Sequence, residues 1–159
     1  MTPGFIGLGA NLGKPPAQLR SALSALAVQP DIRLLAVSPF YRSAAIGPGR
    51  QPDYCNAVAA VLTALAPDRV LARLLEIERA LGRVRGGQRW LPRTLDLDLL
   101  SLGPLTCAEP ALQLPHPRLA ERPFVLLPWC DIAPWASVPG RGQVAALAAA
   151  CHPGDVRRW

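Results

Sequence analysis

Two hydrophobic periods alternate along this chain, and their order predicts the fold. Phe5 to Ala10 (FIGLGA) is short, apolar and glycine-bearing, the pattern of a buried strand that something approaches closely. It runs into a strand-to-helix turn at Asn11–Lys14. Pro15-Pro16 suits a first helical turn, where backbone donors have no partner, and Leu19, Leu23 and Leu26 then recur at helical spacing. Ile32 to Tyr41 reads as a strand after the turn at Pro30-Asp31, Ser43 to Asp53 as a Gly- and Pro-rich loop, and Tyr54 to Leu65 as a further β-like run. Pro67 opens a second helix with a stripe of Val70, Leu74, Ile77 and Leu81, and Gly82 stands as its stop. Glu78 falls beside that stripe, in line with Leu71 and Leu75, a position the pattern leaves open between half-buried and surface. Thr94 to Leu100 alternates strictly, as a strand does. The resulting order, βαββαβ, is that of ferredoxin-like α+β domains and predicts one domain over 1–159, with a C-terminal extension. After the last strand the chain is Pro-rich and expected to be irregular through Arg118. An apolar run, Phe124–Trp129, and an alanine-rich helix, Val144–Ala150, follow.

The chemistry concentrates in Arg83 to Leu100 (RVRGGQRWLPRTLDLDLL), where arginines 83, 85, 89 and 93 surround Trp90 and a glycine pair. Residues two apart on a strand share a face, so Asp96 and Asp98 point one way and Leu95, Leu97 and Leu99 the other. At about 3.3 Å per residue the two carboxylates are rooted roughly 6–7 Å apart. That spacing lets both reach one cation or bridge two cations about 3.5–4 Å apart. All-oxygen ligation favours a hard metal, and Mg²⁺ is commonly held by one or two carboxylates plus substrate phosphates. Acids on a rigid strand beside arginines on a loop suit phosphoryl transfer, which needs positioning and charge neutralisation more than covalent help. The glycines near the N-terminus do not make a nucleotide motif. A dinucleotide fingerprint would need glycine at Leu12, and a phosphate loop ending at Gly13-Lys14 would need glycine at Leu8 and a hydroxyl residue at Pro15.

Composition narrows the partners. The 159 residues are half apolar and carry a formal charge of +6, with a sequence pI near 9.9, which suits an anionic ligand. The four cysteines are far apart and contain no C-x-x-C pair, so reduced thiols and a cytoplasmic setting are expected. No basic leader precedes the first apolar residues, and no segment offers about 18 uninterrupted apolar residues, so neither a signal peptide nor a membrane partner is expected.

Several segments in order resemble the hydroxymethyl-dihydropterin pyrophosphokinases: FIGLGANLG (5–13), SPFYRS (38–43), GPGRQPDYCNAV (47–58), GRVRGGQRWLPRTLDLDLL (82–100), PHPRLAERPFVLLP (115–128) and DIAP (131–134). The resemblance implies a ferredoxin-like α+β sandwich with long mobile loops and an enzyme moving pyrophosphate from ATP to a pterin alcohol. It implies that Asp96 and Asp98 hold two Mg²⁺ ions, and that Arg83 and Arg93 grip ATP phosphates and assist transfer. Arg85 and Trp90 belong to a loop that closes over the substrates. Glu78, His116 and Arg122 match the nucleotide side. Tyr54 and Phe124 match aromatics that sandwich the pterin, Asn56 matches an amide reading its edge, and backbone near Ser43 and Ile46 completes that pocket. Ala111 and Gln113 stand where some members offer an arginine and a threonine to ATP. The substrates implied are small molecules, and a monomer is expected. The rival reading is a ferredoxin-like nucleic-acid-binding module without activity. It suits the positive charge but not the two aspartates or an aromatic content of 6%.

Overall fold

The computed structural model describes residues 1–45, 47–81 and 95–159. Its elements are β1 (Thr2–Ala10), α1 (Pro15–Ala27), β2 (Ile32–Val37), β3 (Tyr41–Ser43), β4 (Tyr54–Thr63), α2 (Pro67–Leu81), β5 (Asp96–Leu102), β6 (Cys107–Glu109), β7 (Leu112–Leu114), α3 (Pro123–Ile132), β8 (Ser137–Val138), β9 (Gly142–Gln143), α4 (Val144–Ala150) and β10 (Arg157–Arg158). Every strand pair is antiparallel. The main sheet runs β5–β1–β4, and β2 and β3 share the far edge of β4, with β10 outside β3. Taken as β1, β2, β4 and β5, the strands lie in the order fourth, first, third, second, with helices after the first and third: the expected βαββαβ arrangement.

Alternation along the strands divides the core in two. Ile6, Leu8 and Ala10 of β1 and Leu97 and Leu99 of β5 face one side, where they meet Leu19 and Leu26 of α1 and Val70, Leu74 and Ile77 of α2. Phe5, Val58 and Leu100 face the other and meet Val125, Leu126 and Trp129 of α3 and Val144 of α4. The indole of Trp129 is fully buried, its centroid 5.0 Å from that of Phe5. Leu100 is an extra residue in β5: Ile6 pairs with Leu99 but Phe5 with Ser101. This bulge shifts the phase of the strand, so that Leu100 joins the α3 side while Leu102, opposite Gly4, returns to the helix layer of α1 and α2.

Three expectations need correction. Ile32–Tyr41 is two strands, because Pro39 lacks a donor and the chain steps between segments of β4. Ser38 bridges the gap: its N–H donates to Val58 O, and its Oγ accepts from Val58 N–H, both at 2.9 Å. The segment before Arg118 is not irregular throughout, for Cys107–Glu109 and Leu112–Leu114 pair as a hairpin around Pro110-Ala111. Finally, the apolar run is part of a helix begun by Pro123, and the chain ends in β10, which periodicity did not suggest.

Candidate active site

Cross-strand partners set out the site in rows on the sheet face turned away from α1 and α2. Asp98, Gly7 and Val58 form one row, Asp96, Gly9, Asn56 and Tyr41 the next, and Tyr54 and Ser43 the third. Gly7 and Gly9 have no side chains, so the middle strand becomes a floor. Among the described residues a Cβ on Gly9 would meet only Asn56 Oδ1, at 3.4 Å; one on Gly7 would touch Leu100 at 3.4 Å. Above this floor is a cavity of about 240 Å³ walled by Asp96 and Asp98, by Tyr54, Asn56, Ser43 and Ala44, and by Arg122, Phe124 and Val125 at the start of α3. The sheet thus brings together Asp96, Asp98, Ser43, Tyr54, Asn56, Arg122 and Phe124, all expected from the sequence.

The polar groups of this cleft are oriented. Asn56, 5% exposed, donates from Nδ2 to Ser43 Oγ at 2.8 Å, which leaves Oδ1 beside Gly9 as an acceptor at the cavity floor. Burial, and then the Asp96 carboxylate, push the Tyr54 phenol above its ordinary range, so it stays a donor at neutral pH. The Arg122 guanidinium is 5.8 Å from the Phe124 ring centre. Aromatic faces with a few fixed donors and acceptors suit a flat polar heterocycle.

A second cleft, also about 240 Å³, lies along the outer edge of β5, between Leu71 of α2, Leu97 and Leu99, the β6–β7 hairpin and His116. Asp98 borders both clefts. His116 is held by its N–H donating to Leu100 O at 2.9 Å, and its Nδ1 accepts from Arg118 N–H at 3.3 Å. The neutral ring therefore carries its proton on Nε2 and offers a donor there. Burial keeps this imidazole below its ordinary pKa; Asp98 opposes the shift, while Arg122, Arg118 and Arg141 reinforce it. Ala111 and Gln113 also line this second cleft.

Glu78 is buried, at 3% exposure, and Oε2 accepts a hydrogen bond from Leu97 N–H at 3.0 Å. β5 is the sheet's edge strand, so this carboxylate takes the place of a missing neighbour between the two aspartates. Arg83, Arg85, Trp90, Arg93 and Ile46 lie outside the described residues. Sequence reasoning missed Ala44 and Val125, whose small apolar side chains carry no signal. It registered Gly7 and Gly9 only as a strand closely approached, although glycine at every second position marks one bare face.

The described residues form a βαββαβ arrangement with two clefts that meet at Asp98. Residues 5–134 match the family model of the 7,8-dihydro-6-hydroxymethylpterin-pyrophosphokinases. A 2-amino-4-hydroxy-6-hydroxymethyldihydropteridine pyrophosphokinase of Pseudomonas aeruginosa is 45% identical over 147 residues, covering 92% of this chain and 90% of that protein. One of Haemophilus influenzae is 43% identical over 147 residues, covering 92% and 91%. The chain belongs to this family and is a transferase of folate biosynthesis, a pyrophosphokinase. Among solved structures, a Plasmodium falciparum HPPK-DHPS crystal structure superposes with a TM-score of 0.72 at 13% identity, a likeness of fold that covers 93% of this chain and 44% of that one. The nucleic-acid-binding alternative finds no support among these relatives.

Proposed function

We propose that the protein transfers the pyrophosphoryl group of ATP to the hydroxymethyl oxygen of 6-hydroxymethyl-7,8-dihydropterin, giving AMP and the pterin diphosphate. The observation that carries this reading is the pair of clefts meeting at Asp98, one floored by glycine and walled by Tyr54 and Phe124, the other along the edge of β5 beside His116. The pterin takes the first, with Asn56 Oδ1 and the backbone near Ser43 at its edge, and by family resemblance Ile46. The nucleotide takes the second, its phosphates directed toward Asp98. The alcohol oxygen forms a bond to the β-phosphorus as the bridging bond to the α-phosphoryl group breaks, and AMP departs.

Asp96 and Asp98 share a face of β5, half-buried and exposed respectively, and fit a hard divalent cation. No cluster of three His, Cys, Asp or Glu occurs among the described residues. The remaining ligands would then be phosphate oxygens and water, the usual Mg²⁺ arrangement. We assign these two carboxylates to two Mg²⁺ ions, which would supply charge neutralisation to the phosphates when bound. Arg122 and the Nε2–H of His116 donate to phosphate oxygens. Glu78 serves the nucleotide side by fixing the edge of β5. By family resemblance Arg83 and Arg93 bind phosphates, and Arg85 and Trp90 cover the substrates. With loose transfer of a charged group, positioning and neutralisation suffice and no general base is required.

We read residues 1–159 as one catalytic domain, since a single sheet carries both cores, acting as a cytoplasmic monomer on small molecules. No helix among the described residues is long and apolar enough to cross a membrane. The test is incubation with ATP, Mg²⁺ and the hydroxymethyl dihydropterin. AMP and pterin diphosphate should form one for one, and chelation of divalent cation should abolish both. Asp96→Ala and Asp98→Ala should each keep less than about a tenth of the rate, a barrier change above about 1.4 kcal/mol. Retention of more would remove the carboxylates from the reaction.

A further inference from the structure

The C-terminal residues are built onto the outside of the pterin cleft. β3 is only three residues long, and β10 covers its free edge through the pairs Arg157–Arg42 and Arg158–Tyr41. Trp159 N–H donates to Phe40 O at 2.9 Å, and the Arg42 guanidinium lies 3.9 Å from the centre of the Trp159 ring. Upstream of β10, Asp155 Oδ2 accepts the backbone N–H of Ala44 at 2.9 Å. Ala44 and Ser43 are wall residues of the cleft, and Ser43 Oγ is the group that orients Asn56.

The same segment reaches the opposite wall. Arg158 is 3.5 Å from the Asp131 carboxylate of α3, and Asp131 also accepts a hydrogen bond from the Tyr41 hydroxyl. α3 is the helix whose first turn contributes Phe124 and Val125 to the cleft. One terminal segment therefore holds the chain leaving β3, β3 itself and the helix carrying Phe124.

We propose that residues 153–159 act as a clasp that sets the width of the pterin cleft, with Asp155 a positioning residue acting through the backbone of Ala44. This rests on the proposed assignment of that cleft to the pterin. The Ala44 N–H has no strand partner beyond Ser43, so its direction depends on the Asp155 carboxylate. Letting that N–H turn moves the wall holding Ser43, and with it the acceptor that Asn56 presents. The nucleotide cleft lies across β5 and has none of the wall residues the clasp holds, Ser43, Ala44, Phe124 and Val125, so the effect falls on one substrate.

The experiment uses the full chain and the variants Asp155→Ala and Asp155→Asn. Asn keeps an oxygen acceptor in place. In Asp155→Ala, amide hydrogen exchange at Ala44 in the unliganded protein should rise at least tenfold. The KM for the hydroxymethyl dihydropterin should rise about three- to tenfold, the loss expected for the net contribution of one ordinary hydrogen bond, with kcat and the KM for ATP within twofold. Asp155→Asn should restore most of both. Unchanged exchange at Ala44 overturns the clasp whatever the enzyme does. Faster exchange with an unchanged pterin KM, or an equal loss toward ATP, overturns its role in positioning the substrate. A wild-type protein that forms no AMP with these substrates would instead unseat the assignment of function, and the exchange measurement would still decide the clasp.

Discussion

Replacing Gly9 by valine asks whether the cleft floor is what the site depends on. Among the described residues the added Cβ would meet a single neighbour, Asn56 Oδ1 at 3.4 Å, so the fold has room for it. Valine also suits a strand better than glycine, an effect within about 1 kcal/mol. Stability should therefore change little, and the melting temperature should stay within about 4 °C of wild type. The ligand has no such latitude. The branched side chain would stand between Asp96 and Asn56, the row that flanks Gly9, inside a cavity of about 240 Å³. A flat ring lying on that floor would be lifted by more than 1 Å, and a displacement of that size costs about 10²-fold, or roughly 2.7 kcal/mol of barrier. Steady-state kinetics should show kcat/KM for the pterin falling at least a hundredfold. Gly9→Ala, whose added atom is the Cβ alone, should fall between. A Gly9→Val protein that melts normally and turns over within tenfold of wild type would refute the view that substrate lies across this glycine.

Glu78→Ala removes the acceptor of a buried edge N–H and should cost about 1–3 kcal/mol, a fall of roughly 2–12 °C in thermal melting; Glu78→Gln, which keeps an acceptor, should recover much of it, and equal losses would show that the Leu97 bond is unimportant. Burial pushes the Cys55 thiol up to about 11, so at pH 8 a thiol reagent should modify Cys107, Cys130 and Cys151 and reach Cys55 only after unfolding. The folded state holds that proton more tightly than the unfolded chain, so stability present below pH 9 should be lost as pH rises toward 11. Cys55→Ala should flatten that part of a denaturation-versus-pH curve, and an unchanged slope would contradict the shift.

What the sequence conveyed well was periodic. Leu19 and Leu26, and Val70, Leu74 and Ile77, lie where helical spacing put them, and Asp96 and Asp98 share a strand face opposite Leu97 and Leu99. What it conveyed poorly depended on long-range pairing. Nothing local separates Ile32–Val37 from Tyr41–Ser43 except Pro39; the split becomes necessary only once both strands compete for one edge of β4. The pattern left the burial of Glu78 open, because the N–H of Leu97 that it accepts lies on another element and has no local signal. Arg157 and Arg158 carry no β signal at all and are strand only because β3 offers a free edge. The chemistry was easier to read than the clasp since it sits in one contiguous motif, while the clasp joins residues more than a hundred positions apart.

The extra residue at Leu100 lets a single strand serve two incompatible masters. Its first half must turn acids toward the substrates and leucines toward the helices; its second half must anchor both greasy layers. Strict alternation past Asp98 would send Leu102 to the wrong layer, so the hiccup in pairing keeps the carboxylates rooted between well-packed neighbours. Excising Leu100 alone would leave Ser101 opposite Phe5, Leu102 opposite Gly4 and the acids untouched, but would take a fully buried leucine out of the α3 layer. The damage to be expected is a molecule with an intact motif and nothing firm to mount it on.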